Sequence, residues 1–181
     1  MTKTIYAFAG PEGGGKSTAA KMVVDAHMPG DATVIGFAEP IKHMMLSLGV
    51  PYKNLYGTQA EKEEPLDILC GKSARYAMQK LGTEWGRQMI GDDIWVNAWK
   101  ARVKKAAEHT VVADDLRFPN EAEAVQALGG TTVVLTRNEN DWDPDDKHHP
   151  SQQFYKLDFD FAVLAKDLRT LQQAIDDLLA D

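Results

Sequence analysis

Cysteine is nearly absent from this chain: Cys70 is the only one in 181 residues. A single thiol cannot close an internal disulfide, so the fold must rest on packing, and the composition suits a reducing compartment. Long apolar runs are missing too, and none approaches the roughly 20 residues that a bilayer-spanning helix needs. Met1-Thr2-Lys3 passes straight into a candidate strand, which leaves no room for a signal peptide. Positive charge is in deficit, with 20 Lys and Arg against 27 Asp and Glu and a formal net charge of −7. Such a surface would not coat duplex nucleic acid, although a local cationic pocket could hold a single nucleotide. The expectation is a cytoplasmic protein with neither a membrane nor a nucleic-acid polymer among its partners.

The remainder is ordinary for a globular chain, 44% hydrophobic and 26% charged, and the length suits a single domain over 1–181 with a proper core. The most informative stretch is Gly10-Pro11-Glu12-Gly13-Gly14-Gly15-Lys16-Ser17. It fits G-x-x-x-x-G-K-[ST], the P-loop pattern. Thr4–Ala9 before it is a short β-branched and aromatic run, a strand signal. After it, Ala19, Met22, Val23 and Ala26 recur at helical spacing. Strand, glycine loop and helix together are the setting in which the pattern has meaning. Glycines let successive N–H groups turn inward around a phosphate, and the helix N-terminus adds its partial positive charge. Lys16 is placed to reach β- and γ-phosphates, and the Ser17 hydroxyl to ligate Mg²⁺. The expected ligand is a nucleoside triphosphate.

Further strands are expected at Thr33–Phe37, Thr110–Ala113, Thr131–Thr136 and Phe159–Leu164. Pro40 opens a helix with Ile41, Met44, Met45 and Leu48 on one face. From Gly49 to about Leu69 the periodicity fades, and a long excursion of this kind is often functional. A helix from Ser73 carries Ala74, Ala77, Met78, Leu81 and Trp85 on one stripe, with a bend or break expected at Gly82 and Gly86. Another begins at Asp93 and turns Trp95, Trp99, Val103 and Ala106 inward. Pro119 starts a helix that Gly129-Gly130 stops. Leu168, Leu171, Ile175, Leu178 and Leu179 stripe a closing helix. Strands alternating with helices predict an α/β fold with a roughly five-stranded parallel sheet, helices on both faces and ligands at the strands' C-terminal ends. A helical substrate-binding insertion is expected over about 49–107 and a short lid over about 137–153.

Each chemical candidate follows a predicted strand: the P-loop, Ala38–Lys42, Asp114–Arg117 and Arg137. Asp114 and Asp115 stand where P-loop proteins carry the acid that organises Mg²⁺. Adjacent residues point to opposite faces, so only one of them can aim at the site. Lys42, Arg75, Arg87, Arg117 and Arg137 are the cations available for a second anion. Trp85, Trp95, Trp99 and Tyr76 could stack a base, against the commoner role of core packing. His148-His149 beside Asp145-Asp146 lack metal-ligand spacing and read as loop.

In this order, several pieces resemble the phage deoxynucleoside monophosphate kinase family, within the P-loop nucleoside monophosphate kinase-like group. They are the P-loop, Phe37-Ala38-Glu39-Pro40-Ile41-Lys42, Leu81-Gly82-Thr83-Glu84-Trp85-Gly86-Arg87, Asp92-Asp93-Ile94-Trp95-Val96 and Asp115-Leu116-Arg117-Phe118-Pro119-Asn120-Glu121. The resemblance implies γ-phosphoryl transfer from Mg²⁺-ATP to a deoxynucleoside monophosphate, in the host cytoplasm if a phage encodes the chain. It makes Gly10, Glu12, Gly13, Gly14, Gly15, Lys16, Ser17, Thr18 and Arg137 the ATP-binding set, with Ser17 on Mg²⁺. Asp115, rather than Asp114, is the motif aspartate; Lys16, Asp115, Arg117 and Arg137 form the catalytic set. Lys42, Arg75, Arg87, Trp95, Asp115 and Arg117 are implied on the acceptor. After Arg137 the family pattern is replaced by His149-Pro150-Ser151-Gln152 and an acidic run. The rivals are a P-loop kinase of phosphomevalonate or dephospho-coenzyme A type and a GTP-binding switch. The switch would need an Asn-Lys-x-Asp reader, and Tyr155-Lys156-Leu157-Asp158 is the nearest miss. Base preference, ribose tolerance and a homodimer are left open.

Overall fold

A computed structural model describes residues 2–138 and 157–180. In chain order they form β1 (Thr4–Ala9), α1 (Lys16–Asp25), β2 (Ala32–Val34), α2 (Glu39–Ser47), α3 (Lys53–Tyr56), α4 (Gln59–Glu63) and β3 (Pro65–Leu66). A 3-10 turn (Asp67–Leu69), β4 (Lys72–Ser73), α5 (Ala74–Lys80), a π-helix (Leu81–Ile90) and α6 (Ile94–Lys105) follow. The chain ends with β5 (Thr110–Ala113), α7 (Pro119–Ala127), β6 (Thr131–Thr136), β7 (Phe161–Leu164) and α8 (Leu168–Ala180). These pack as two compact units, Met1–Phe37 with Trp99–Asp181, and Ala38–Ala98. No helix among the described residues is long and apolar enough to cross a membrane.

The first unit holds a parallel five-stranded sheet in the order β2-β5-β1-β6-β7. β1 lies between β5 and β6, in register Thr4↔Thr110 and Phe8↔Val133. Alternate residues of a strand serve opposite faces. Phe8, Val112, Val133 and Leu135 therefore share one face, where they pack with Ala19, Ala20 and Val23 of α1 and Leu171 and Ile175 of α8. Ile5 serves the other face. There a Cβ on Gly130 would come within 2.8 Å of both Ile5 and Val125 of α7, so only glycine lets that turn close on the sheet. Both faces are covered, as a parallel sheet requires, and its strands read as unbroken apolar runs. Each fully buried side chain of this size contributes about 1.5–3 kcal/mol.

The edge strands are shorter than the sequence suggests. β2 stops at Val34, with one further bond from Ile35 N to Val112 O at 2.8 Å. β7 begins at Phe161; just before it, Asp160 N donates to Thr132 O at 3.0 Å, and its Oδ2 accepts both the N–H and the hydroxyl of Thr132 at 2.7 Å.

The second unit differs more from expectation. α2 buries Ile41 and Met45, while Met44 and Leu48 are exposed. Met45 packs instead with Val50, Leu55 and Ala74. The stretch after Gly49 is ordered by caps rather than by periodicity. Thr58 and Glu61 cap α4 reciprocally: Thr58 N donates to Glu61 Oε2 at 2.7 Å, and Glu61 N donates to Thr58 Oγ1 at 3.4 Å. Buried Asn54 donates to Glu61 O at 2.6 Å and Glu64 Oε2 at 3.1 Å, tying α3 to α4.

α5 starts where expected, with Ser73 Oγ accepting from Tyr76 N at 3.2 Å. It does not break at Gly82 or Gly86; it widens into the π-helix and runs to Ile90. The glycines serve close approach. Trp95 donates its indole N–H to Gly82 O at 2.7 Å, and a Cβ on Gly86 would overlap the Trp95 ring. A wide turn with displaced carbonyls and no side chain accommodates an indole that an α-helix would exclude. Gly86→Ala should therefore lower stability by about 1–3 kcal/mol, the usual cost of overpacking. The check is the urea midpoint, and a midpoint equal to that of the native chain would refute this packing.

Candidate functional site

The loop that leaves β1 is shaped by glycines. Gly10 has φ +135°, and a Cβ there would collide with the carbonyl oxygen of Leu135 on β6. Gly14 is equally tight, with its Cβ position 2.9 Å from Pro11 O and 3.2 Å from Leu135 O. The loop thus lies directly on the backbone of the neighbouring strand. Gly15, at φ +95°, is the N-cap of α1. No described side chain caps this helix, and its first turn holds no acid. Its amide groups and the positive end of its dipole are available to an anion.

Lys16 folds back over the loop. Its Nζ donates to Gly10 O at 3.0 Å and Pro11 O at 2.7 Å. Burial lowers its pKa from the ordinary 10.5 to about 8. The Arg117 charge pushes the same way, while Asp114, Glu12 and Asp115 oppose it. Two cations are thus held against each other's repulsion, a strain that a bound anion relieves.

Beside Lys16, the Ser17 hydroxyl donates to Asp114 Oδ2 at 2.7 Å. The two aspartates, which follow the last residue of β5, have different partners. Asp115 accepts from Phe37 N at 2.8 Å and lies against Gly36, where a Cβ would stand 2.8 Å from its Oδ2. Ser17 thus meets Asp114, while the motif residue Asp115 meets Phe37 N, three residues past the end of β2. Phe37 continues from there into a stack on Trp99, at 4.6 Å between ring centroids. Among the described residues no three His, Cys, Asp or Glu side chains gather as a metal cluster. The hydroxyl and carboxylate of Ser17 and Asp114 nevertheless form a hard oxygen pair of the kind Mg²⁺ prefers when phosphates and water complete its shell.

Glu12, Gly13 and Thr18 are exposed around the loop, and Arg137 is exposed just after β6. The lid expected over 137–153 lies outside the described residues beyond 138, together with His148, His149, Asp145, Asp146 and Tyr155.

The remaining candidates belong to the second unit. Lys42 lies 3.7 Å from the Glu39 carboxylate and 4.5 Å from the centre of the Tyr56 ring. Arg75 pairs with Glu63 at 3.3 Å and donates to Gln59 Oε1 at 2.9 Å. Arg87 is buried and donates to Asp92 O at 2.9 Å. Trp95, read as an acceptor contact, is 5% exposed with its N–H engaged by Gly82. In this structure it packs a core.

Sequence reasoning quoted Glu121 as the end of a motif and gave it no role of its own. Its Oε2 accepts the backbone N–H groups of Arg117 at 2.9 Å and Phe118 at 3.1 Å. The signal was present, since an acid two residues after a helix-opening proline is a capping pattern.

No family model matches the chain. It is 30% identical over 140 residues to a protein of Acanthamoeba polyphaga mimivirus provisionally named a deoxynucleotide monophosphate kinase, covering 71% of each. It is also 37% identical over 54 residues to the deoxynucleoside-5'-monophosphate kinase of Escherichia phage T5. That match covers 30% of this chain and 22% of the phage protein, so it spans about a fifth of the phage protein's length.

The lowered Lys16 pKa carries a sign that stability measurements can read. Between about 8 and 10.5 the unfolded chain holds the Lys16 proton and the folded chain does not. Stability therefore rises with pH in that window relative to Lys16→Met, by up to a few kcal/mol, and the difference is flat below pH 7. Urea denaturation of both proteins across pH 6–10 measures it; a constant difference, or one that falls with pH, would contradict the buried cation.

Proposed function

The chain belongs to the deoxynucleotide monophosphate kinase family, and from that premise we propose that it transfers the γ-phosphoryl group of ATP to a deoxynucleoside monophosphate. An acceptor phosphate oxygen bonds to the γ-phosphorus as the bond to the β,γ-bridging oxygen breaks, giving ADP and a deoxynucleoside diphosphate. The observation that carries this reading is the uncapped start of α1, with Lys16 and the Ser17–Asp114 pair beside it. Phosphoryl transfer needs little covalent help from a protein, only alignment and neutralised charge.

The amides of Gly13 and of Gly15 to Ser17 would hold the β-phosphate, the Gly14 N–H being engaged by Pro11 O at 3.1 Å. Lys16 would exchange its two carbonyl partners for β- and γ-oxygens. Ser17 and Asp114 would hold Mg²⁺. The ion would neutralise charge shared between the β- and γ-phosphates. Arg117 would follow the transferring group, and Arg137 would close on the ATP side. Asp115 is assigned the support of Phe37 rather than the metal. Lys42, Arg75 and Arg87 remain the proposed acceptor cations, on the resemblance and on their charge.

A coupled assay of ADP release across the common deoxy- and ribonucleoside monophosphates tests the reading. Turnover with at least one deoxynucleoside monophosphate is expected. Turnover only with phosphomevalonate or dephospho-coenzyme A, or tight GTP binding without any acceptor, would replace it. Lys16→Ala should lower kcat by about 10²–10³, as removal of a preorganised electrostatic donor does. Asp114→Ala should lower kcat while the fold persists. Asp115→Ala should instead lower stability, by about 1–3 kcal/mol, through the Phe37 N–H left without its acceptor. The reverse pattern in the two aspartate variants would return the metal role to Asp115.

A further inference from the structure

Glu121 is 3% exposed. Burying a carboxylate is costly unless its lone pairs are engaged. The N–H groups of Arg117 and Phe118 both donate to one of its oxygens, Oε2. Glu121 stands third in α7, behind Pro119 at the first position. A capping acid at this place ordinarily reaches back to the N-cap amide alone. Here the N-cap is Phe118, and the carboxylate reaches one residue further, to Arg117.

The segment carrying Arg117 is gripped from both directions. Leu116 N donates to Phe8 O at the end of β1, at 3.2 Å. Two residues earlier, Asp114 accepts from Ser17. Arg117 therefore leaves the backbone close to the phosphate-binding loop, with its peptide unit fixed on one side by β1 and on the other by Glu121.

We propose that Glu121 is a positioning residue for phosphoryl transfer: its buried carboxylate locks the Arg117 backbone so that the guanidinium stays at the anion-binding end of the sheet. This rests on the role given to Arg117 under Proposed function. A helix cap alone would stabilise α7 and leave turnover per folded molecule unchanged. A positioning residue acts on kcat, and only while Arg117 is there to be positioned.

The test is a double-mutant cycle in the full chain, with kcat and KM for ATP and for the best deoxynucleoside monophosphate. Folded fractions come from urea denaturation. Arg117→Ala should lower kcat by about a hundredfold and Glu121→Ala by about tenfold per folded molecule, the scale of lost transition-state donors and their supports. The double variant should be no slower than Arg117→Ala. Glu121→Gln keeps a carbonyl oxygen able to accept both N–H groups, so it should stay within about threefold of the native kcat. Should Glu121→Ala fail to fold, Glu121→Asp, one methylene short of both amides, takes its place in the cycle. Losses that multiply in the double variant, or a folded Glu121→Ala with native kcat, would overturn the inference alone. Native kcat in Arg117→Ala would overturn the role of Arg117 and this inference with it.

Discussion

A lysine ammonium folded onto the carbonyls of its own loop is the constraint from which the site follows. Lys16 gives up water for Gly10 O and Pro11 O, and its lowered pKa records the cost of that burial. The arrangement is reached only because Gly10 and Gly15 take backbone conformations that a side chain would strain, and because Gly10 has no Cβ to strike Leu135. Three acids, Asp114, Glu12 and Asp115, offset the charge in part. A polyphosphate would do so more fully, with the first amides of α1 as additional donors.

The sheet explains why these groups meet. β1 is central, so the loop that leaves it is flanked by the ends of β5 and β6. β6 supplies the carbonyl on which the glycines lie, and the residue just after β5 is the aspartate that meets Ser17. The next residues of that same turn carry Arg117 and enter α7 under the carboxylate of Glu121. Sheet order, glycine placement and helix capping thus converge on one strand end, where open parallel sheets bind their ligands.

Much of this was legible in the chain itself. β1, β5 and β6 were readable to the residue because buried parallel strands appear as short apolar runs bounded by turn residues. α3 and α4 were not, because four- and five-residue helices are too short to show a period and depend on Thr58, Glu61 and Asn54 for their bonds. A bend or break was expected in place of the π-helix because Gly82 and Gly86 weaken a helix in isolation; their reason is an indole nine and thirteen residues away. That Asp114 and Asp115 have different partners was half visible. Alternation said that they diverge, but only Gly36 and Phe37 N, far along the chain, decide which way each turns.

The central claim is that the fold weakens the hold of Lys16 on its proton until an anion arrives. The most direct measurement is the pKa of its Nζ by lysine-selective NMR, in the protein alone and saturated with a non-hydrolysable ATP analogue. The account predicts a value near 8 in the free protein and a rise to the ordinary lysine range, about 10.4 or above, in the complex. A pKa that stays near 8 at saturation would show that no phosphate meets the ammonium, and would contradict the account.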